Sequence, residues 1–141
     1  MGRITKKGRS RQVGSFTMLP HDLIDSEAFA SLKPAEVSVL LRLMRIYNGR
    51  NNGHIAASVR QLAFWCNINK DTAAKAISAL VAFGFIELAQ ESSFNFKLRR
   101  AAEYRLTCHK CDRTGALPTR GWKKVEGDRA QLRKQEPFAH G

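Results

Sequence analysis

The fold of this chain is decided by residues 58–86, which read SVRQLAFWCNINKDTAAKAISALVAFGFI. Ser58 is followed three residues later by Gln61, and this spacing has the form of a capping box. In such a box the Ser side chain accepts from free backbone N–H groups at the start of a helix, while the Gln side chain reaches back to the preceding backbone. The pattern therefore predicts a helix from Val59 to about Cys66.

A second helix is predicted after a short turn at residues 67–69. Asn69 is a favourable N-cap because its side-chain oxygen can accept from backbone N–H groups. The helix is predicted to run from near Lys70 to about Phe83, where Gly84 ends it. The predicted inward-facing residues of the two helices are Leu62, Cys66, Ile68, Ala73, Ala76, Ile77 and Leu80.

Two alternating stretches follow, at residues 85–89 and 103–107, separated by the polar and basic residues 90–102. Alternation of apolar and polar residues is typical of a half-buried strand. A hairpin would bring both apolar sets onto one core-facing side, because side chains alternate along a strand. The core-facing set is predicted to be Phe85, Ile86, Leu88, Tyr104 and Leu106.

Helical segments are also predicted before residue 58. Pro34 suits the first position of a helix, where its missing N–H is not needed. Short helical turns are predicted at 20–24 and 27–32, and a very short strand at 54–57. The apolar stripe of the helix that begins at Pro34 is predicted to contain Val37, Leu40, Leu41, Met44 and Tyr47, and the helix to stop at Asn48-Gly49.

The charge of the chain points to a polyanionic partner. Lys and Arg number 24 against 12 Asp and Glu, so the formal net charge is +12, and the pI is near 10.3. Nucleic acid is the first candidate for that partner, and a membrane surface is the rival. No apolar run approaches the roughly 18 residues of a spanning helix, so insertion into a bilayer is not expected.

The chain divides into three parts. Residues 1–15 carry basic but no acidic side chains and are expected to form a mobile arm, not a secretory signal. Residues 16–107 hold nearly all of the periodic apolar signal, and residues 108–141 look like a partly ordered extension. Trp122 is expected to fold this extension back on the domain as far as about Val125. Three cysteines cannot all pair within one chain, which favours a reducing cytoplasm.

The predicted order of helices and hairpin resembles the winged helix-turn-helix domain. The resemblance covers roughly residues 34–107 and rests on residues 58–63, 70–80 and 83–86. These are similar to the S-x-x-x-L-A … S-x-x-T-(A/V)-x-(R/K)-A-(I/L)-x-x-L-x-x-x-G-(F/W/L)-I pattern of bacterial winged-helix regulators and of plasmid or phage replication initiators. The resemblance implies an α+β, mainly α fold with a three-helix core and a β-hairpin wing.

Phe64-Trp65 departs from this pattern, in which small or polar residues are usual at the corresponding positions. These aromatic side chains are expected to meet either another part of the chain or a second subunit.

The resemblance also implies a DNA interface. The helix at about 70–83 would enter the major groove of double-stranded DNA, which is about as wide as a helix, and the basic wing would contact the backbone or the minor groove. The predicted DNA-binding residues in the two helices are Ser58, Arg60, Asn69, Lys70, Asp71, Thr72 and Lys75. The wing would add Lys97, Arg99 and Arg100, and the N-terminal arm Arg3, Lys6, Lys7, Arg9 and Arg11.

Other kinds of site find little support in the sequence. Residues 108–111 (CHKC) offer two thiols and an imidazole, but a structural zinc site needs four ligands and no second pair is evident, so unligated thiols are favoured. No nucleophile motif, phosphate-cradling loop or paired carboxylates are found, so neither an enzyme nor a cofactor is expected.

The expected function is therefore a cytoplasmic, nucleoid-associated, sequence-specific DNA-binding protein, with a transcriptional regulator favoured. A replication initiator, and an RNA-binding or protein-interaction module that reuses the fold, remain as alternatives. No small-molecule ligand is expected. A homodimer on a palindromic site stays open, because no long helix is clearly a dimerisation element.

Overall fold

A computed structural model describes residues 14–95 and 98–125. This part of the chain has an α+β, mainly helical architecture that is compatible with a winged-helix layout. The elements in chain order are α1 (His21–Ile24), α2 (Glu27–Ala30), α3 (Pro34–Ile46), β1 (Ile55–Ala56), α4 (Val59–Cys66), α5 (Lys70–Ala82), β2 (Ile86–Gln90), β3 (Ser93–Asn95), β4 (Leu98–Arg100), β5 (Glu103–Leu106) and the 3-10 helix η1 (Gly121–Val125).

Both predicted helix starts in the deciding stretch are confirmed. The Ser58 hydroxyl accepts from the backbone N–H of Gln61 at 3.0 Å, and the Gln61 side-chain oxygen accepts from the backbone N–H of Ser58 at 3.0 Å. The Asn69 side chain accepts from the backbone N–H of Thr72 at 2.7 Å. Asn67, in the left-handed conformation with φ 56°, ends α4. The side-chain bonds of Ser58, Gln61 and Asn69 satisfy backbone donors that a helix start otherwise leaves free.

The predicted hairpin is present as the antiparallel pair β2–β5. Its register places Ile86 opposite Leu106 and Leu88 opposite Tyr104, and β1 pairs with the other edge of β5. A second antiparallel pair, β3–β4, lies between β2 and β5 along the chain. One predicted core position is wrong, because Leu88 is exposed whereas Ile86, Tyr104 and Leu106 are buried. A bulge that begins at Leu88 marks where the sheet leaves the core.

The predicted apolar stripe of α3 is partly wrong. Leu40 and Met44 are buried, but Val37 is only half-buried and Leu41 is exposed. The buried face of α3 consists of Glu36, Val39, Leu40, Leu43 and Met44. The apolar pattern did not identify this face because the face includes Glu36, and a carboxylate rarely belongs to a core. Its side-chain oxygen is used to accept from the backbone N–H of Lys33 at 2.8 Å, at the helix start.

The segment after β5 packs on the domain, as the prediction for Trp122 required. Trp122 is fully buried, and its ring stacks on that of Phe85 with centroids 5.9 Å apart. Backbones meet closely here, since a Cβ added at Gly84 would lie 2.4 Å from the carbonyl carbon of Gly121, and Gly84 has φ +82°. Only glycine combines this backbone conformation with so close an approach.

Asn52 joins this C-terminal segment to the rest of the fold. The side chain is fully buried, and its amide nitrogen donates to the carbonyl oxygens of Leu106 at 2.9 Å and Lys110 at 2.9 Å. Its oxygen accepts from the backbone N–H of Leu106 at 2.6 Å. The backbone N–H of Asn52 donates to the Asp112 carboxylate at 2.9 Å. A residue that sequence patterns identify only as part of a turn therefore connects two distant segments.

Folding stability is expected to fall as the medium is acidified, in part through His109. Its ring stacks on Tyr47 with centroids 4.3 Å apart, and burial lowers the pKa of His109, although the Asp112 carboxylate opposes that shift. A lowered pKa means that the folded state binds the proton less well than the unfolded state. The contribution of His109 to the free energy of unfolding is fully present above pH 6.5, the ordinary pKa of a histidine. It is lost as the pH falls through that value towards the lowered pKa of the folded state.

This pH dependence can be measured as the melting temperature between about pH 8 and pH 5. His109→Gln should reduce the loss of melting temperature over this interval, because Gln takes up no proton. An unchanged pH profile in the variant would show that other groups carry the whole effect.

Candidate nucleic-acid interface

A groove of about 880 Å³ runs between the starts of α4 and α5 and the outer end of the β2–β5 hairpin, where β4 leads into β5. We call it the hairpin groove. It is lined by Ala57, Ser58, Val59, Arg60, Gln61, Lys70, Ser92, Ser93, Arg100, Ala101, Ala102 and Tyr104. These residues come from four separate stretches of sequence, so only the fold brings them together.

Backbone pairing explains why these stretches meet. The N–H of Ala57 donates to the carbonyl oxygen of Ala102 at 3.1 Å, which fixes the residue before β5 against the residue before the α4 capping box. Pairing of Ala56 with Glu103 continues this contact. The three-residue turn between α4 and α5 then places Lys70, the first residue of α5, on the same groove. The start of each helix therefore faces the hairpin.

The hairpin groove is electropositive. Arg60, Lys70 and Arg100 are exposed and line it, and no carboxylate is present among the described residues of the lining. The starts of two helices add the partial positive charge of their dipoles. Backbone N–H groups at such positions suit an anion, and a phosphate is the common one. The arrangement can bind a polyanion whose charges are spaced along a backbone.

Four of the predicted DNA-binding residues meet in this groove: Ser58, Arg60, Lys70 and Arg100. Asp71 and Lys75 are exposed on α5, one helical turn apart, and continue the surface away from the groove. Asn69 and Thr72 lie at the same end of α5, where the Asn69 side chain is engaged as the helix cap. The two helices thus present one continuous surface with the hairpin.

The remaining predicted residues fall into two groups: one residue in the β3–β4 pair, and those outside the described part of the chain. Arg99 lies on β4, opposite Phe94 in the β3–β4 pair. The other predicted residues lie outside the described part of the chain: Lys97, Arg3, Lys6, Lys7, Arg9 and Arg11. Their assignment to DNA stays a prediction.

Arg113 is a positioning residue that sequence patterns missed. Its guanidinium donates to the carbonyl oxygen of Gly53 at 2.7 Å, to the carboxylate of Glu103 at 3.1 Å and to the side-chain oxygen of Gln90 at 3.1 Å. Glu103 begins β5 and Gln90 ends β2, so Arg113 ties both strands of the hairpin at their outer ends. No local signal predicts this role, because its partners are distant in sequence.

The cysteine-containing segment 108–111 is engaged in packing. The Cys111 thiol is buried and lies 3.8 Å from the carbonyl oxygen of Asn52, to which it donates. Burial raises the pKa of Cys108 to about 11, so its thiolate, the form that binds metals, is disfavoured. Within residues 14–95 and 98–125, no group of three or more His, Cys, Asp or Glu residues is arranged to hold a metal ion.

Comparison with models of known protein families gave no match, and comparisons with curated proteins and with solved structures gave none either. In the part of the chain that the structure describes, every helix is too short or too polar to cross a bilayer.

Proposed function

We propose that this protein is a winged-helix, sequence-specific double-stranded DNA-binding protein that acts as a transcriptional regulator. The observation that carries the proposal is the hairpin groove, which Arg60, Lys70 and Arg100 line at the starts of two helices and on β4, with no carboxylate among its described lining residues. The net charge of +12 supports the same class of partner. The α+β layout with a helix pair and an adjacent hairpin is compatible with this use.

In the proposed complex, α5 enters the major groove and the hairpin lies along the backbone or the minor groove. The residues at the start of α5, including Lys70, Thr72 and Lys75, then face base edges, as in other helix-turn-helix proteins. Arg60 and the start of α4 face phosphates, where a charge-assisted hydrogen bond is strong. Small side chains at Ala101 and Ala102 leave the groove between helix and hairpin open for a backbone.

The proposal is tested by comparing duplex DNA with duplex and single-stranded RNA at matched salt, after selection of bound sequences from a random DNA pool. We expect a preferred DNA sequence. We also expect the logarithm of the affinity to fall with the logarithm of salt at a slope of about −5 to −7, if roughly 6 to 8 phosphates are neutralised. Tighter binding of RNA, or a slope shallower than about −2, would contradict the proposal.

Lys70→Ala and Thr72→Ala are each expected to weaken specific binding by about 1–3 kcal/mol and to blur preference at particular base pairs, since both lie at the start of α5. The measurement is affinity for the selected site and for its single-base variants. Arg50→Ala, at an exposed loop position, serves as the control and should change neither. An equal loss for all sequences would assign these two residues to the DNA backbone instead.

A further inference from the structure

A second groove lies on another side of the helical core, between α3 and α4. Its volume is about 380 Å³, and we call it the α3–α4 groove. It is lined by Ser38, Leu41, Arg42, Arg45, Trp65 and Cys66. Leu41 is 41% and Trp65 37% exposed, although both are large apolar side chains. This groove includes one of the two aromatic residues that depart from the winged-helix sequence pattern.

The α3–α4 groove combines an apolar floor with positive charge. Arg42 and Arg45 lie on α3 at the edge of the groove, and no carboxylate is among the described residues that line the groove. The Arg42 guanidinium reaches across the groove towards the carbonyl oxygen of Trp65, 3.4 Å away. The complementary occupant is an apolar side chain flanked by carboxylates.

The chain itself carries such a segment. Residues 22–27 hold three of its 12 acidic residues, Asp22, Asp25 and Glu27, around Ile24. We call these residues the acidic segment. Ile24 is 38% exposed, and Asp22 forms an ion pair with Lys123 at 3.3 Å. Within the described residues, Asp25 and Glu27 are exposed and have no ion-pair partner.

The acidic segment is held away from the groove of its own chain. Phe29 of α2 packs edge-on against Phe85, which lies just beyond the end of α5, with centroids 6.4 Å apart. Cys66 of the groove lies just before the start of α5. Because α5 has 13 residues, its ends are about 20 Å apart. The α4 end of the groove and the acidic segment therefore lie towards opposite ends of α5, which favours a contact between two copies over one within a single chain.

We propose that the acidic segment of one copy docks in the α3–α4 groove of a second copy. Ile24 would then pack on Leu41 and Trp65, while Asp25 and Glu27 face Arg42 and Arg45. A symmetric contact of groove with groove is disfavoured, since it would bring four arginines together. The head-to-tail contact leaves one groove and one acidic segment unused at the ends, so further copies can add. If the proposed DNA binding holds, neighbouring copies on DNA would bind cooperatively.

The test uses sedimentation velocity of the full chain without DNA, over a wide range of protein concentration at low salt. Wild type should show a rise of the weight-average sedimentation coefficient with concentration, and high salt should reduce it. Arg42→Glu with Arg45→Glu should abolish the rise, and so should Asp25→Lys with Glu27→Lys. An equimolar mixture of these two double variants should restore it, because the acidic segment of the first meets the unaltered groove of the second.

Arg50→Glu with Lys110→Glu is the matched control, since it reverses the same number of charges at exposed positions that neither line the α3–α4 groove nor belong to the acidic segment. Ile24→Ala should weaken association roughly tenfold without altering any charge. Melting curves would establish that each variant is folded, and Ile24→Ala alone decides the matter if a charge reversal is not tolerated.

Wild type that stays monomeric throughout would overturn the proposal, as would a mixture of the two double variants that fails to associate. If the arginine reversal abolishes association and the acidic reversal leaves it unchanged, the proposal is also wrong, and the α3–α4 groove would instead belong to a symmetric contact. Since DNA is absent, none of these results bears on the proposed function.

Discussion

Replacement of Arg60, Lys70 and Arg100 together by Ala is expected to weaken binding to duplex DNA by about 3–4 kcal/mol at low salt. These three side chains come from α4, α5 and β4, yet they line one groove. If each neutralises one phosphate, the slope of log affinity against log salt should become shallower by about 3. Equilibrium titration of a labelled duplex at several salt concentrations measures both quantities.

The control for this variant removes the same charge elsewhere. Arg50, Lys110 and Lys124 are exposed and do not line the hairpin groove, so their joint replacement by Ala should lower affinity only slightly. The folded state should survive in both triple variants, because exposed positions seldom matter for stability. An equal loss of affinity in the two variants would mean that net charge, and not the hairpin groove, determines binding.

Asn52→Ala is expected to lower the free energy of unfolding by about 3–5 kcal/mol. The substitution removes the amide that joins the 51–53 turn to Leu106, the last residue of β5, and to the chain after it. It leaves the buried backbone N–H of Leu106 and carbonyl oxygens of the same segment without their partner, and each such group costs about 1–3 kcal/mol. Urea denaturation followed by circular dichroism measures the change.

Two further variants separate hydrogen bonding from lost volume at this position. Asn52→Asp keeps the size of the side chain but removes its two donors, so it should destabilise as strongly as Ala. Asn48→Ala, at an exposed position whose side chain accepts only from the nearby backbone N–H of Arg50, should cost less than about 1 kcal/mol. A mild effect of both Asn52 variants would contradict the central role assigned to this residue.

Local patterns predicted much of this fold. The caps at Ser58 and Asn69, the helices they open and the strands on either side of the basic stretch follow from interactions within a few residues, which a sequence displays directly. The stripe on α3 was misjudged at Leu41 because a buried carboxylate, Glu36, belongs to the inward face. Leu88 was misjudged because alternation marks a face of a strand but not how far the core extends beneath it.

The sequence by itself determined the basic charge, the helix pair and the hairpin, since each depends on composition or on neighbours along the chain. Only the tertiary structure decided which side chains meet. The hairpin groove needs the bond between Ala57 and Ala102, and the anchoring of its strands needs Arg113. Asn52 makes its contacts more than 50 positions away. Such contacts are specified by the closure of the whole core, and no periodicity within a single segment records them.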